Sequence, residues 1–322
     1  MERRRQRPVG LLVRLVIYTL AVAAAFLIRG NIDERGTGLR FPTDSDLTTA
    51  ITVTGEDLAP DLIPRLVSGY KRRFPAHEVT LVSGGSAYGL QALADERAQM
   101  AMLYRPPTAE EQSLLREAVN DTAVYYPFAL AAIDVVAGRE SPVDSLRMET
   151  LRNFVRGERS GFERLYVTDP NQGLWDAFVI RLGTRGSGEY GDRVVYLKDE
   201  RAVLQAVAAD AAGLGLVSSL RFPEQQADSL GIWFVPVQSD TAKTASQPLY
   251  AAVAYGDYPL YHFVYAACLE NGAVLAAMLV TDFISDRGQR AVERAGVLPS
   301  RQVMREIHLT RKAPGPARPS TR

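Results

Sequence analysis

From residue 50 onward, short apolar runs give way again and again to segments whose apolar residues fall at i, i+3 and i+4. Few folds accept that order. Strands separated by helices pair mainly in parallel, because each helix returns the chain to the same end of the sheet. The first strand is expected at 50–54, followed by a helix over 58–73 whose Leu62, Ile63, Leu66, Val67 and Tyr70 share one face. A strand at 78–82, a helix at 86–96 and a strand at 99–103 repeat the unit. Thr108 and Glu111 have the spacing of a capping box, in which hydroxyl and carboxylate each satisfy a free N–H, so a helix begins there and runs to about 119.

The alternation then continues with different spacing. A long apolar strand is expected at 130–137, a helix at 148–155 ended by Gly157, a strand at 164–168 and a helix at 172–182. A strand at 193–197, a helix at 199–210 and a strand at 213–217 follow, with further strands at 232–237 and 248–255. The last helical region, 271–295, is broken at Gly288 and closes at Gly296. No segment repeats at a period of 20 to 50 residues.

With 322 residues, 47% of them apolar, the chain has material for one large domain or two ordinary ones. Its formal net charge is zero but unevenly spread. Residues 1–30 hold six Arg and one Glu, residues 309–322 hold three Arg and one Lys without an acid, and the body between carries 27 basic and 36 acidic side chains. So acidic a body argues against nucleic acid as a partner. The single cysteine, Cys268, sits in an apolar run and reads as a buried thiol, with no disulfide to make inside the chain. His77, His262 and His308 lack metal-ligand spacing, so neither a metal nor any other cofactor is expected. Glu56, Asp134 and Asp169 are not placed as a catalytic carboxylate pair, and no nucleophile and base stand together, so binding is expected rather than catalysis.

Arginines at 3–5 and 7 precede an 18-residue apolar run, 11–28, interrupted only by Arg14. Such a run is just long enough to cross a bilayer, with the arginines on the cytoplasmic side. Residues 1–29 are therefore expected to be an N-terminal transmembrane helix, and 30–47, polar and glycine-bearing, a linker. The rival reading is a cleaved signal, since Ala21-Val-Ala23 and Ala23-Ala-Ala25 are suitable sites; Phe26-Leu-Ile28 carries the apolar run past them. Either way the body lies in the cell envelope, outside the cytoplasm. The proline-rich basic tail 309–322 is expected to be disordered.

One turn stands out chemically. Gly84-Gly85-Ser86 lies between an expected strand and an expected helix, where glycines allow close approach and the first helical turn offers unpaired N–H donors. Anions and small polar molecules bind at such places.

Four segments carry a family resemblance. They are Ile51-Thr-Val-Thr-Gly55 with Tyr70-Lys-Arg-Arg-Phe-Pro75; Gly84-Gly-Ser-Ala-Tyr-Gly-Leu90 with Met100-Ala-Met-Leu-Tyr-Arg105; residues 127–137 with Ser141-Pro-Val-Asp-Ser-Leu146 and Gly157-Glu158; and Phe283-Ile-Ser-Asp-Arg-Gly-Gln289 leading to Ala295-Gly-Val-Leu-Pro299. In this order the chain resembles the periplasmic phosphate-binding proteins of bacterial ABC phosphate importers. The resemblance implies an α/β, two-lobed type II periplasmic binding protein fold, each lobe a mixed, mainly parallel sheet flanked by helices, over residues 48–308. Lobe one would be 48–129 with 238–308, lobe two 130–237, and a ligand would sit between them.

By position, the resemblance places Thr54, Gly55, Glu56, Gly85, Ser86, Tyr104, Arg105, Gln172 and Gly173 at that cleft. The match is partial. Glu56 stands where the family has a small residue, Tyr104 where it often has serine, and Asn171-Gln-Gly-Leu174 where it commonly has Ser-Gly-Thr after an arginine. Each missing charged hydrogen bond costs roughly 1.5–3 kcal/mol, so the losses together would lower phosphate affinity by about three to five decades. The implied ligand is thus a small polar molecule or oxyanion, phosphate among them, delivered to an ABC permease or a membrane signalling protein. The alternative is a ligand-free interaction or sensory module on the same fold.

Overall fold

The computed structural model of the chain describes residues 49–56, 62–185, 193–220 and 227–301. Its first stretch alternates as expected: β1 (Ala50–Gly55), α1 (Leu62–Lys71), β2 (Glu78–Ser83), α2 (Ser86–Ala94), β3 (Met100–Leu103) and α3 (Ala109–Val119). The long β4 (Ala123–Gly138) leads to β5 (Leu146–Arg147), α4 (Met148–Val155), β6 (Arg164–Thr168), a 3-10 turn (Pro170–Gln172) and α5 (Leu174–Leu182). Next come β7 (Val194–Leu197), α6 (Glu200–Ala209), β8 (Gly213–Ser218), α7 (Ala227–Leu230), β9 (Ile232–Phe234) and β10 (Val237–Gln238). The chain returns through α8 (Tyr250–Tyr255), β11 (Tyr261–Leu269), α9 (Val274–Ile284), α10 (Asp286–Arg294) and β12 (Leu298–Pro299).

One mixed sheet runs β2-β1-β3-β11-β4-β8-β6-β7, with β9 and β12 also paired to β4. Parallel pairing holds β1 between β2 and β3, and β6 between β7 and β8. These are the pairs that helical crossovers dictate. β4 joins the two halves, because its residues up to Ala132 pair with β11 and those from Ile133 onward pair with β8. The change of partner has its own fastening: Ile133 N–H donates to Leu260 O at 3.0 Å, and the buried Tyr258 hydroxyl donates to Ile133 O at 2.9 Å. Residues 131–138 are all buried, as a strand covered on both faces requires.

The helical periods hold as well. Leu62, Ile63, Leu66, Val67 and Tyr70 of α1 are the residues it buries. The capping box of α3 is complete: Glu111 N–H donates to Thr108 Oγ1 at 3.1 Å and Thr108 N–H to Glu111 Oε2 at 2.7 Å. Cys268 is buried, and burial pushes its thiol pKa up.

Several expectations need correction. The strand placed at 248–255 is instead helix α8, ended by Gly256 at φ 79°. Its alanines favour a helix and only Val253 is buried, so no alternating buried face exists there. Three strands are not among those expected: the short β5 and β12, and the long β11, where His262, Val264 and Ala266 turn inward between the half-buried Tyr261, Phe263 and Tyr265. The single strand at 232–237 is two, β9 and β10, separated by Val235 and Pro236. Proline has no N–H to give to a ladder. The last helices part at Ser285 and not at Gly288: Ser285 Oγ caps α10 by accepting from Gly288 N–H at 3.2 Å.

No helix among the described residues is long and apolar enough to cross a membrane. The run 11–28, the linker 30–47 and the tail 309–322 lie outside the described residues.

Candidate functional site

Backbone geometry sets up the site. β1 ends at Gly55 with φ +117°, where a Cβ would also come within 2.2 Å of Met102 O, so only glycine serves. That turn is pinned from both sides: Glu56 N–H donates to Met102 O at 2.9 Å and Gly84 N–H to Gly55 O at 2.6 Å. The next side chain, Glu56, is thereby aimed at the start of α2.

There its carboxylate is held. Glu56 Oε1 accepts from Ser86 N–H at 2.9 Å and from the Ser86 hydroxyl at 2.7 Å, and both residues are buried, 4% and 0% exposed. Ser86 Oγ in turn accepts from Tyr104 N–H at 3.0 Å. The N-cap residue of α2 is Gly85, which has no side chain to offer, so a carboxylate from another element satisfies the helix start. Hydrogen bonds to a charged acceptor contribute about 1.5–3 kcal/mol each.

The second half of the sheet closes against this point. A Cβ on Gly85 would lie 1.8 Å from Asn171 O, and one on Gly173 would lie 2.3 Å from Ser86 Oγ and 2.7 Å from Glu56 Oε1. Contact this close is open only to glycines. Gly173 adopts φ 62° as it ends the 3-10 turn and begins α5.

Arg105, only 6% exposed, is engaged by acids from both halves. Its Nη1 and Nη2 donate to Glu111 at 2.7 and 2.8 Å, and its Nε donates to Asp176 Oδ2, on α5, at 2.5 Å. Burial opposes the charge of the guanidinium, but Glu111 and Asp176 outweigh it and hold its pKa above the ordinary value. For Glu111, burial alone would raise the pKa; the Arg105 guanidinium and the Thr108 N–H hold it below the usual range.

Behind these residues lies a polar floor. The ring of Tyr104, 2% exposed, packs on His262 with centroids 4.3 Å apart. His262 Nε2 lies 3.2 Å from Ser218 Oγ at the end of β8, and Glu200 Oε1 accepts from Ser218 N–H at 3.0 Å. Burial depresses the His262 pKa to about 4, so the ring is neutral at pH 7. Thr54, 3% exposed, has a hydroxyl without a hydrogen-bond partner among the described residues.

Of the residues expected at the cleft, Gly55, Glu56, Gly85, Ser86 and Gly173 converge, together with the backbone of Tyr104. Gln172 brings only its backbone, its N lying 2.9 Å from where a Cβ on Gly85 would stand, while its side-chain Nε2 donates to Lys198 O at 3.1 Å on the exposed side. Asp169 caps the 3-10 turn by accepting from Asn171 N–H, and Trp175 lies in the core beside Phe178. Asp176, Ser218 and His262 are not among the residues expected at the cleft. Asp176 did carry a signal, an acid in the first turn of a helix.

Residues 42–285 match the family described as the PBP superfamily domain. The chain belongs to that superfamily. Among its relatives, phosphate-binding protein PstS 2 of Streptococcus pneumoniae serotype 4 is 25% identical over 124 residues, 38% of this chain and 40% of that protein. The match therefore spans well under half the length of that relative. Among solved structures, a putative phosphate ABC transporter substrate-binding protein from Clostridium perfringens, with bound phosphate, aligns with a TM-score of 0.62 and 14% identity over 78% of this chain and 100% of the other. An ABC-type phosphate transport receptor from Vibrio cholerae aligns with a TM-score of 0.58 and 16% identity over 77% and 99%. The α/β binding-protein fold is the one these structures share with it, and at such identities this chain is a divergent member.

Proposed function

We propose that this chain is the extracytoplasmic substrate-binding component of an ABC-type uptake system, holding a small polar or anionic solute between the two halves of its sheet. The halves act as lobes, 48–129 with 238–308 and 130–237, hinged where β4 changes partner at Ala132 and Ile133. Superfamily membership and the phosphate-binding titles of the relatives support this. The observation that carries it is the close approach of Gly173, from one half, to the Ser86 hydroxyl at the start of α2 in the other. Donors at a helix start facing a movable wall select a solute by differential contact with the closed form. The apolar run 11–28 serves as a membrane anchor that keeps the domain near its permease. The activity is binding, with no reaction.

Calorimetric titration of the full chain in detergent with phosphate, sulfate, amino acids and sugars tests the reading. Heat is expected with at least one polar or anionic solute, and its loss in Ser86→Ala. Silence throughout the panel contradicts it. Silence would favour a second reading, a ligand-free interaction or sensory module, for which one observation speaks: Arg105 is already neutralised by Glu111 and Asp176.

A further inference from the structure

We infer that Glu56 is a resident occupant of the anion seat, a side chain that fills the place of a solute oxyanion and lets the two halves close without solute. An oxyanion at the start of α2 would need the Ser86 N–H and the Ser86 hydroxyl. Glu56 Oε1 takes both, at 2.9 and 2.7 Å. Only one acceptor can be seated there at a time.

The second half leaves no room beside it. Gly173 approaches so closely that a Cβ would stand 2.7 Å from Glu56 Oε1 and 2.3 Å from Ser86 Oγ. The seat is closed over the carboxylate, and the turn at Gly55, φ +117°, delivers that carboxylate from within the same half. Closure over bare donors would bury an unpaired N–H, which a folded protein avoids. Glu56 removes that obstacle. The neighbouring cation offers no second seat, since Arg105 is bonded to Glu111 and Asp176. An anionic solute must therefore displace Glu56, and it meets like charge until it does. Glu56 thus sets specificity: it lowers affinity for compact oxyanions such as phosphate. This part rests on the solute-binding reading; closure by Glu56 does not.

Two readouts on the full chain in detergent separate the two. Spin labels at Leu114→Cys, on exposed α3, and Arg201→Cys, on exposed α6, report the separation of the halves, the native Cys268 being buried. Without solute, the wild-type background should give one short distance, and Glu56→Ala a longer, broader distribution. By calorimetry, Glu56→Ala should bind inorganic phosphate at least tenfold more tightly than wild type, and phosphate should restore the short distance. If Glu56→Ala fails to fold, the isosteric Glu56→Gln carries the test through phosphate: its amide oxygen still accepts from Ser86, so the distance stays short, but the like charge is gone and phosphate binds more tightly than to wild type. Wild-type distances together with wild-type phosphate affinity in both variants would overturn the inference. Opening of Glu56→Ala without phosphate binding would uphold the resident carboxylate and count against solute uptake.

Discussion

At the scale of single residues, the glycines and the buried histidine make separate demands. Gly85 meets the Asn171 backbone where a Cβ would stand 1.8 Å from an oxygen, so Gly85→Ala should hold the halves apart while leaving each folded; lengthened label distances with an unchanged circular dichroism spectrum would show it. Gly55 combines positive φ with a blocked Cβ, and Gly55→Ala should destabilise by roughly 1–3 kcal/mol or more, read from urea midpoints. His262 titrates near 4 when folded, against 6.5 for a free imidazole, because burial disfavours its charged form. The unfolded chain therefore binds the proton more readily, and the stability this gives, full above pH 6.5, is lost as pH falls toward 4. Between pH 7 and 5 the loss should be about 2 kcal/mol, and His262→Phe should remove most of that slope while keeping a ring against Tyr104. An unchanged slope in the variant would show that other groups cause it.

At the scale of elements, sequence was most legible where local chemistry decides structure. The face of α1 and the capping box of α3 follow from residue spacing alone, and both stand as expected. α8 and β11 show the limit. Tyr250–Tyr255 and Tyr261–Leu269 are both aromatic and apolar, and the choice between helix and strand was made by pairing with β3 and β4, far away in sequence. The cap of α3 also has a second task, because Glu111 bonds both Thr108 N–H and Arg105. Thr108→Ala should cost about 1 kcal/mol, the usual value of an N-cap. Glu111→Ala should cost clearly more, about 3–5 kcal/mol, since it strips a buried guanidinium of its two-pronged partner. Equal losses in chemical denaturation would mean that Arg105 finds other partners.

At the scale of the whole molecule, β4 is the organising strand, sixteen residues that serve one half of the sheet and then the other. Sequence showed its apolar second part but not its start at Ala123, because Tyr125, Tyr126 and Pro127 are exposed and break the run. The candidate site was partly legible for the same reason that the turn at Ser86 was: glycine and hydroxyl announce a place for an anion. That Glu56 accepts from the Ser86 N–H and hydroxyl, and that Asp176 reaches Arg105 from the other half, depends on long-range closure that no spacing reveals. Both facts describe a binding fold whose charges are met from within. The central claim, that Ser86 seats an anion and Glu56 now fills that seat, is tested most directly by phosphate calorimetry on wild type, Glu56→Ala and the double variant Glu56→Ala/Ser86→Ala. Binding at least tenfold tighter in Glu56→Ala than in wild type, lost again in the double variant, is the predicted result; equal affinity in wild type and Glu56→Ala would contradict it.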